Sequence, residues 1–305
     1  MAWHKALERA RTIIGATGRG AAPKPAVTAF FDAPTNSVSY VVQDPVTKVA
    51  AIIDSVLGFD PVSGRTCRTG ADAIVAHVEA EGLSVAWQLE THVHADHLSA
   101  AAYLRERLGG RCAIGSAVGA VDGFFAPLFG RADARAWFDH LFEDGDSFVI
   151  GGLQGLALHG PGHTPADLAY LIGDALFVGD TLFMPDYGTA RADFPGGNAH
   201  LLYRSIRRLL ALPDETRMFV GHDYLAPGRA EHHWETSVGA QRRDNVHVGG
   251  CIGEAAFVAM RQARDATLSL PRLMIPSVQV NLRGGQLPPA DAEGVRYLKL
   301  PIDRL

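Results

Sequence analysis

The run His92-Val93-His94-Ala95-Asp96-His97 places four metal-ligand side chains in six positions. Imidazole nitrogens and carboxylate oxygens at that density suit a divalent cation. On an extended backbone, side chains i, i+2 and i+4 share one side, so His92, His94 and Asp96 should converge, with His97 facing a neighbouring direction. A chance polar loop or a pH-sensitive histidine cluster is the plainer reading, and the density of ligand types weighs against both. Three further candidates lie far along the chain: His163 in Gly160-Pro161-Gly162-His163-Thr164-Pro165, Asp180 in Val178-Gly179-Asp180-Thr181-Leu182, and His222 in Val220-Gly221-His222-Asp223-Tyr224. Each follows an apolar run and a glycine. One such residue is ordinarily a satisfied polar group; the same arrangement at four strand ends reads as a constellation.

The elements that must position these groups are legible in outline. Val27 to Phe31, Val38 to Val42 and Val49 to Ile53 are β-branched and aromatic, separated by Pro34-Thr35-Asn36 and Asp44-Pro45, which predicts an antiparallel meander. Ile74, Val75 and Val78 recur at helical spacing between Gly70 and Glu81. A strand over Val85 to Leu89 then feeds the histidine run, and a helix is expected from about His97 to Leu108, stopped by Gly109-Gly110. Strand-like runs follow at Ser147 to Ile150, Leu153 to Leu158, Leu168 to Ile172 and Ala175 to Val178. Asn198 should cap a helix with Leu201, Leu202, Ile206, Leu209 and Leu210 on one face. Met218-Phe219-Val220 gives another strand, and helical runs and an irregular tail occupy the chain after about Trp234.

Bulk properties bound the class. The chain has 305 residues, 47% hydrophobic and 20% charged, as an ordinary globular protein does. A net charge of −5 argues against a nucleic-acid surface, and no apolar run is long enough for a membrane span. Cys67, Cys112 and Cys251 form neither a disulfide framework nor a Cys-x-x-Cys knuckle, so a cytoplasmic setting is expected. Met1 to Pro23 is basic enough to resemble an organellar transit segment, with a short helix and tether as the favoured alternative. The expected organisation is a helix and tether over 1–24, a catalytic domain over 25–235, and an extension over 236–305 packed on that domain. A homo-oligomer stays open.

Taken in order, His-x-His-x-Asp-His, Gly-x-x-His-Thr, Gly-Asp-Thr-Leu-Phe and Gly-His-Asp-Tyr resemble the metallo-β-lactamase superfamily over roughly Val27 to Tyr224. That resemblance implies an α+β fold, a four-layer αββα sandwich with its metal site at one edge of two sheets. Asp186-Tyr187-Gly188-Thr189-Ala190-Arg191-Ala192-Asp193-Phe194, Leu202-Tyr203-Arg204-Ser205-Ile206 and the tail from Pro276 to Lys299 are similar to the persulfide dioxygenase group, which includes the ethylmalonic-encephalopathy protein.

The resemblance offers two chemistries. A persulfide dioxygenase would use one Fe(II) per chain on His92, His163 and Asp180, leaving coordination open for O2 and the sulfur of glutathione persulfide, with sulfite and glutathione as products. His94, Asp96, His97 and His222 would then orient ligands and waters. A glyoxalase II-like thioester hydrolase would instead hold two metals, such as zinc, on all seven groups, with Asp180 bridging. A metal-binding or redox-sensing module without turnover is the third reading. Glutathione carries two carboxylates, so Arg191 and Tyr203 are the expected substrate contacts. Arg191 could equally form an ion pair with Asp193 or Asp186, and Tyr203 could be half-buried on its helix.

Overall fold

The computed structural model describes residues 2–304. The first half of the chain runs α1 (Ala2–Gly18), β1 (Ala26–Asp32), β2 (Ser37–Gln43), β3 (Val49–Ile53), β4 (Val56–Asp60), β5 (Arg65–Cys67), α2 (Thr69–Ala80), β6 (Ser84–Leu89), β7 (Leu98–Ser99), α3 (Ala101–Leu108), β8 (Arg111–Gly115), α4 (Val118–Phe129) and β9 (His140–Phe142). The second half follows as β10 (Ser147–Ile150), β11 (Leu153–His159), β12 (Leu168–Ile172), β13 (Ala175–Phe177), α5 (Ala199–Leu209), β14 (Arg217–Phe219), β15 (Glu235–Ser237), α6 (Val238–Asp244), α7 (Glu254–Asp265) and α8 (Met274–Asn281).

Strand alternation separates the layers. Along β2, Val38, Tyr40 and Val42 face one core while Val41 faces another, as the two-residue period of a strand requires. The same holds on β11, where Ala157 points inward and Leu156 and Leu158 point outward. The inward residues of the sheet β1-β2-β3-β6-β8-β9 and of the sheet β10-β11-β12-β13-β14-β15 form one central core. Outside the first sheet lie α2 and α3, through Ile74, Val75, Val78 and Leu104. Outside the second lie α1, α5 and α7, through Ile14, Leu202, Ile206 and Phe257. This is the expected αββα sandwich. Among the described residues, no helix is long and apolar enough to cross a membrane.

Strand direction then decides where the loops gather. β3, β6 and β8 are mutually parallel. In the other sheet β11 and β13 both run against β12, and β14 runs parallel to β13. The C-terminal ends of β11, β13 and β14 therefore emerge along one edge, and their loops carry His163, Asp180 and His222.

One expected helix starts later than its sequence suggests. Residues Leu98 and Ser99 form β7, paired with β4, and α3 begins only at Ala101. The cause is Asn281 at the end of α8. Its amide donates to the carbonyls of His94 and His97, both at 2.8 Å, and its oxygen accepts from the Ser99 amide at 2.8 Å. These bonds take the chain out of the helical pattern just after the histidines. On α5 the Asn198 cap is present, accepting from the Leu201 amide at 3.0 Å. Leu201 itself turns to solvent, while Leu202, Ile206, Leu209 and Leu210 are buried.

Replacing Asn281 by Ala strands two buried carbonyls and one amide, each of which costs about 1–3 kcal/mol when unsatisfied. Denaturant unfolding should show a loss of at least about 2 kcal/mol, with the histidine loop the first segment to lose hydrogen-exchange protection. A change within experimental error would mean that the loop holds itself.

Candidate metal centre

The centre is assembled from the first sheet inward. Asp54, at the end of β3, adopts a left-handed backbone (φ 50) and is buried. Its two oxygens accept from the amide and the hydroxyl of Thr91 at 2.7 and 2.8 Å. Because the Thr91 hydroxyl has spent its proton on Asp54, it can only accept from His92 Nδ1, 3.0 Å away. The Nε2 lone pair of His92 is thereby turned outward.

Three other imidazoles are set by the same logic with backbone acceptors. His163 Nδ1 donates to the Arg191 carbonyl at 2.8 Å, His97 Nδ1 to Leu98 at 3.2 Å, and His222 Nδ1 to Asn36 at 3.2 Å. A carbonyl oxygen only accepts, so each Nδ1 carries a proton and each Nε2 is turned to the centre; burial opposes charge on His222, but Asp180 and then Asp96 raise its pKa. Burial, together with His94 and His163, pushes the His92 imidazole well below its ordinary pKa. His97 is pushed down to about 4, chiefly by burial. Neutral rings of this kind are donors to a cation.

The glycines ahead of the ligands are steric requirements, most severely at two positions. Gly179 has φ +51, and a Cβ there would lie 2.5 Å from the Thr91 hydroxyl. A Cβ on Gly162 would collide with the backbone of Leu202 in α5. Only glycine lets β13 and α5 come this close to the ligand loops.

Asp180 then sits between two sets of donors. Its Oδ2 lies 3.8 Å from His92 Nε2 and 3.6 Å from His163 Nε2. Its Oδ1 lies 3.3 Å from His222 Nε2, which is also 3.3 Å from Asp96 Oδ2. One donor atom each from His92, His163 and Asp180 falls within 4.8 Å of the others, and so do those of His94, Asp96 and His97. His92 Nε2 and Asp180 Oδ1 are buried and have no hydrogen-bond partner. Orphaned buried polar atoms of complementary type are costly unless something sits between them, and a divalent cation fits this donor set. Burial opposes charge on Asp96, yet His222, His97 and His94 hold its carboxyl down at about 2.

His94 behaves differently from its neighbours. Its Nε2 approaches Asp54 Oδ1 at 3.0 Å and Glu90 Oε2 at 3.4 Å, and all three side chains are buried. Burial disfavours its charge, but Asp54 and then Glu90 raise its pKa well above the ordinary value. The trio His92, His94 and Asp96 expected from an extended backbone is therefore not formed. The rings of His92 and His94 stay side by side, with centroids 4.1 Å apart, but His92 shares its donor set with His163 and Asp180 while His94 Nε2 faces Asp54 and Glu90.

A cavity of about 370 Å³ opens onto Asp96, His163 and Asp180, within the roughly 300–1,000 Å³ of small-molecule sites. Phe183, Tyr187, Phe194 and Tyr224 contribute to its walls, and Arg191 lines it too. The Arg191 fork is engaged, with Nε and Nη2 donating to the Asp193 carboxylate at 2.6 and 2.7 Å and Nη1 to the Ser269 carbonyl at 2.7 Å. Tyr203 stands elsewhere: its hydroxyl donates to the Ile252 carbonyl at 3.0 Å and its ring packs on Phe257, so it ties α5 to the α7 region instead of facing the cavity. Asp54 and Glu90 escaped the sequence reading, although Asp54 also ends an apolar strand and Glu90 sits two residues before the first histidine. Tyr224, two residues past His222 in the Gly-His-Asp-Tyr motif, stacks on that histidine at 5.3 Å.

The chain belongs to the metallo-beta-lactamase superfamily, whose family model matches residues 33–222. A beta-lactamase hydrolase-like protein of Xylella fastidiosa is 52% identical over 291 residues, 94% of this chain and 67% of that protein. A probable metallo-hydrolase of Burkholderia pseudomallei is 52% identical over 293 residues, 92% of this chain and 99% of that one. Among solved structures, ETHE1 from Myxococcus xanthus is similar with a TM-score of 0.69 and 30% identity, over 86% of this chain and 100% of that chain.

Asp180 supplies the carboxylate of the set with His92 and His163, and its other oxygen faces His222. Its replacement by Ala should weaken divalent-metal affinity by more than the roughly 10–100-fold expected for an outer partner, measured by competition with a chelator, while the circular dichroism spectrum stays native. Unchanged affinity would place the metal elsewhere.

Proposed function

We propose that the chain is a mononuclear ferrous persulfide dioxygenase, converting glutathione persulfide, O2 and water to glutathione and sulfite. The observation that carries this reading is the partition of the histidines. His92, His163 and Asp180 group by themselves, while His94 groups with Asp96 and His97, or with Asp54 and Glu90. A dinuclear hydrolase would need a donor nitrogen of His94 in the set with His92 and His163; the His94 ring lies 4.1 Å from that of His92, but its Nε2 is turned to Asp54 and Glu90. Two imidazoles and one carboxylate are the face used by non-haem ferrous oxygenases. The likeness to ETHE1 of Myxococcus xanthus over most of both chains supports the same choice.

Bound to this face, ferrous iron would supply a redox-active centre with coordination left for both O2 and sulfur. The protein's own contribution is orientation and exclusion. Thr91 and the Arg191 carbonyl hold His92 and His163 in the donor tautomer. His222, between Asp180 and Asp96, is placed to hold a proton beside the carboxylate. Phe183, Phe194 and Tyr224 make the cavity wall largely apolar, which limits water around the reacting sulfur.

A hydrolase remains the second reading on one specific observation: the two oxygens of Asp180 face different donor sets, as a bridging carboxylate would. Protein reconstituted anaerobically with ferrous iron should hold about one iron per chain. It should take up O2 and release sulfite only when glutathione persulfide is added. Two metals per chain, rapid S-lactoylglutathione cleavage and no oxygen uptake would establish the hydrolase. Iron binding with neither activity would leave a non-catalytic metal module.

A further inference from the structure

Resting on the reading just given, we propose that the end of α7 and the connection to α8 form the substrate-recognition wall of this cavity, with Arg264 and Arg272 receiving the carboxylates of an anionic, thiol-derived substrate. Four arginines line the cavity, namely Arg191, Arg261, Arg264 and Arg272, in a chain whose net charge is −5. Two of them are committed to the protein. Arg191 is held by Asp193 and the Ser269 carbonyl. Arg261 is fully buried, paired with Asp265 at 2.7 Å and donating to the Thr189 carbonyl. Both brace the wall and have no fork left for a ligand.

Arg264 and Arg272 are exposed at the cavity. Among the described residues, neither has a carboxylate within ion-pair distance, in contrast to the ion pairs of Arg191 and Arg261. Asp60 feels Arg272 only as the weakest of several influences on its carboxyl. The cavity is thus polarised. Its buried lining includes the metal donors His163 and Asp180, its exposed lining two cations, and Leu268, Pro271 and Leu273 add apolar surface. A ligand that matches this gradient has a metal-seeking sulfur at one end, an apolar or amide middle, and carboxylates at the other. Two separate guanidinium groups suit two separate carboxylates, since each fork takes one carboxylate bidentately. The residues following the catalytic motifs therefore select among persulfides, and the Arg191 side chain acts as a brace instead of a ligand.

The distinguishing measurement is discrimination between charged and uncharged substrates. Arg264→Gln, Arg272→Gln and the double variant, iron-loaded, would be assayed by oxygen uptake with glutathione persulfide and with mercaptoethanol persulfide. Arg207→Gln, an exposed change on α5 of equal charge, serves as the control. Each single change should raise KM for glutathione persulfide roughly tenfold with kcat nearly unchanged, as expected when a charge-assisted contact present in both ground and transition states is lost. The preference for the charged substrate over mercaptoethanol persulfide should fall by the same factor, and Arg207→Gln should keep the wild-type preference. An unaltered preference in the double variant would overturn the assignment. If wild-type protein oxidises neither persulfide, the dioxygenase reading fails instead. The wall is then judged by calorimetric binding of glutathione to metal-loaded protein, where equal affinity of wild type and double variant would overturn it independently.

Discussion

A hydroxyl proton decides the chemistry at one end of this molecule. Thr91 donates it to Asp54 and therefore accepts from His92, so a buried carboxylate on β3 sets the tautomer of an imidazole on the loop after β6. The same constraint recurs where backbone carbonyls replace the threonine, at Arg191, Leu98 and Asn36. A histidine that must present Nε2 to a cation needs an acceptor at Nδ1, and buried acceptors are supplied most rigidly by main chain. The Arg191 and Asn36 carbonyls lie on segments distant in sequence from the rings they serve, whereas Leu98 directly follows His97, so His163 and His222 are set only when the whole fold is in place. The price of this pre-organisation is a set of buried, unpartnered donors facing one another. Occupancy by a cation and stability of the fold are consequently linked.

Parallel strands make the gathering of loops possible. Where β13 and β14 run side by side, Asp180 and His222 leave neighbouring strand ends, and Gly221 must stay without a Cβ because Asp180 Oδ1 occupies that space. Asn281 extends the scheme to the far end of the chain, fixing the carbonyls of His94 and His97 from α8. The C-terminal helices thus do two jobs. They lock the histidine loop from behind and form part of the cavity wall in front.

Much of this was readable from residue types alone. The strand ends carrying His92, His163, Asp180 and His222 follow short apolar runs, and glycine marks the tight approach at three of them. Local patterns could also supply the Asn198 cap, because its partner is three residues away. What escaped has a common cause, which is dependence on distant partners. The late start of α3 is enforced from Asn281, the turn of His94 Nε2 away from the metal donors is enforced by Asp54, and the Ser269 carbonyl completes the hold on Arg191 beyond the Asp193 pair that the sequence offered. Tyr203 follows the half-buried alternative, packed on Phe257 and bonded to Ile252, because the resemblance of the helix gives no information on what packs against it. Glu90, two residues from the ligand run, had no pattern to distinguish it from an ordinary strand-end acid.

Charge balance around His94 follows from these placements. Asp54 and Glu90 are both buried, and either one unpaired in a low-dielectric interior would be expensive. The Thr91 amide and hydroxyl and the Ser99 hydroxyl stabilise them partly, and the His94 ring shared between them supplies the rest. An imidazole balancing two carboxylates is favoured in its charged form, and a ring in that form has no lone pair for a metal. With a single carboxylate at that position, the neutral ring would compete on better terms and its Nδ1, buried without a partner, could turn to a cation. Glu90 therefore bears on how many histidines the centre can offer, from a position that touches none of the three donors grouped around Asp180 Oδ2.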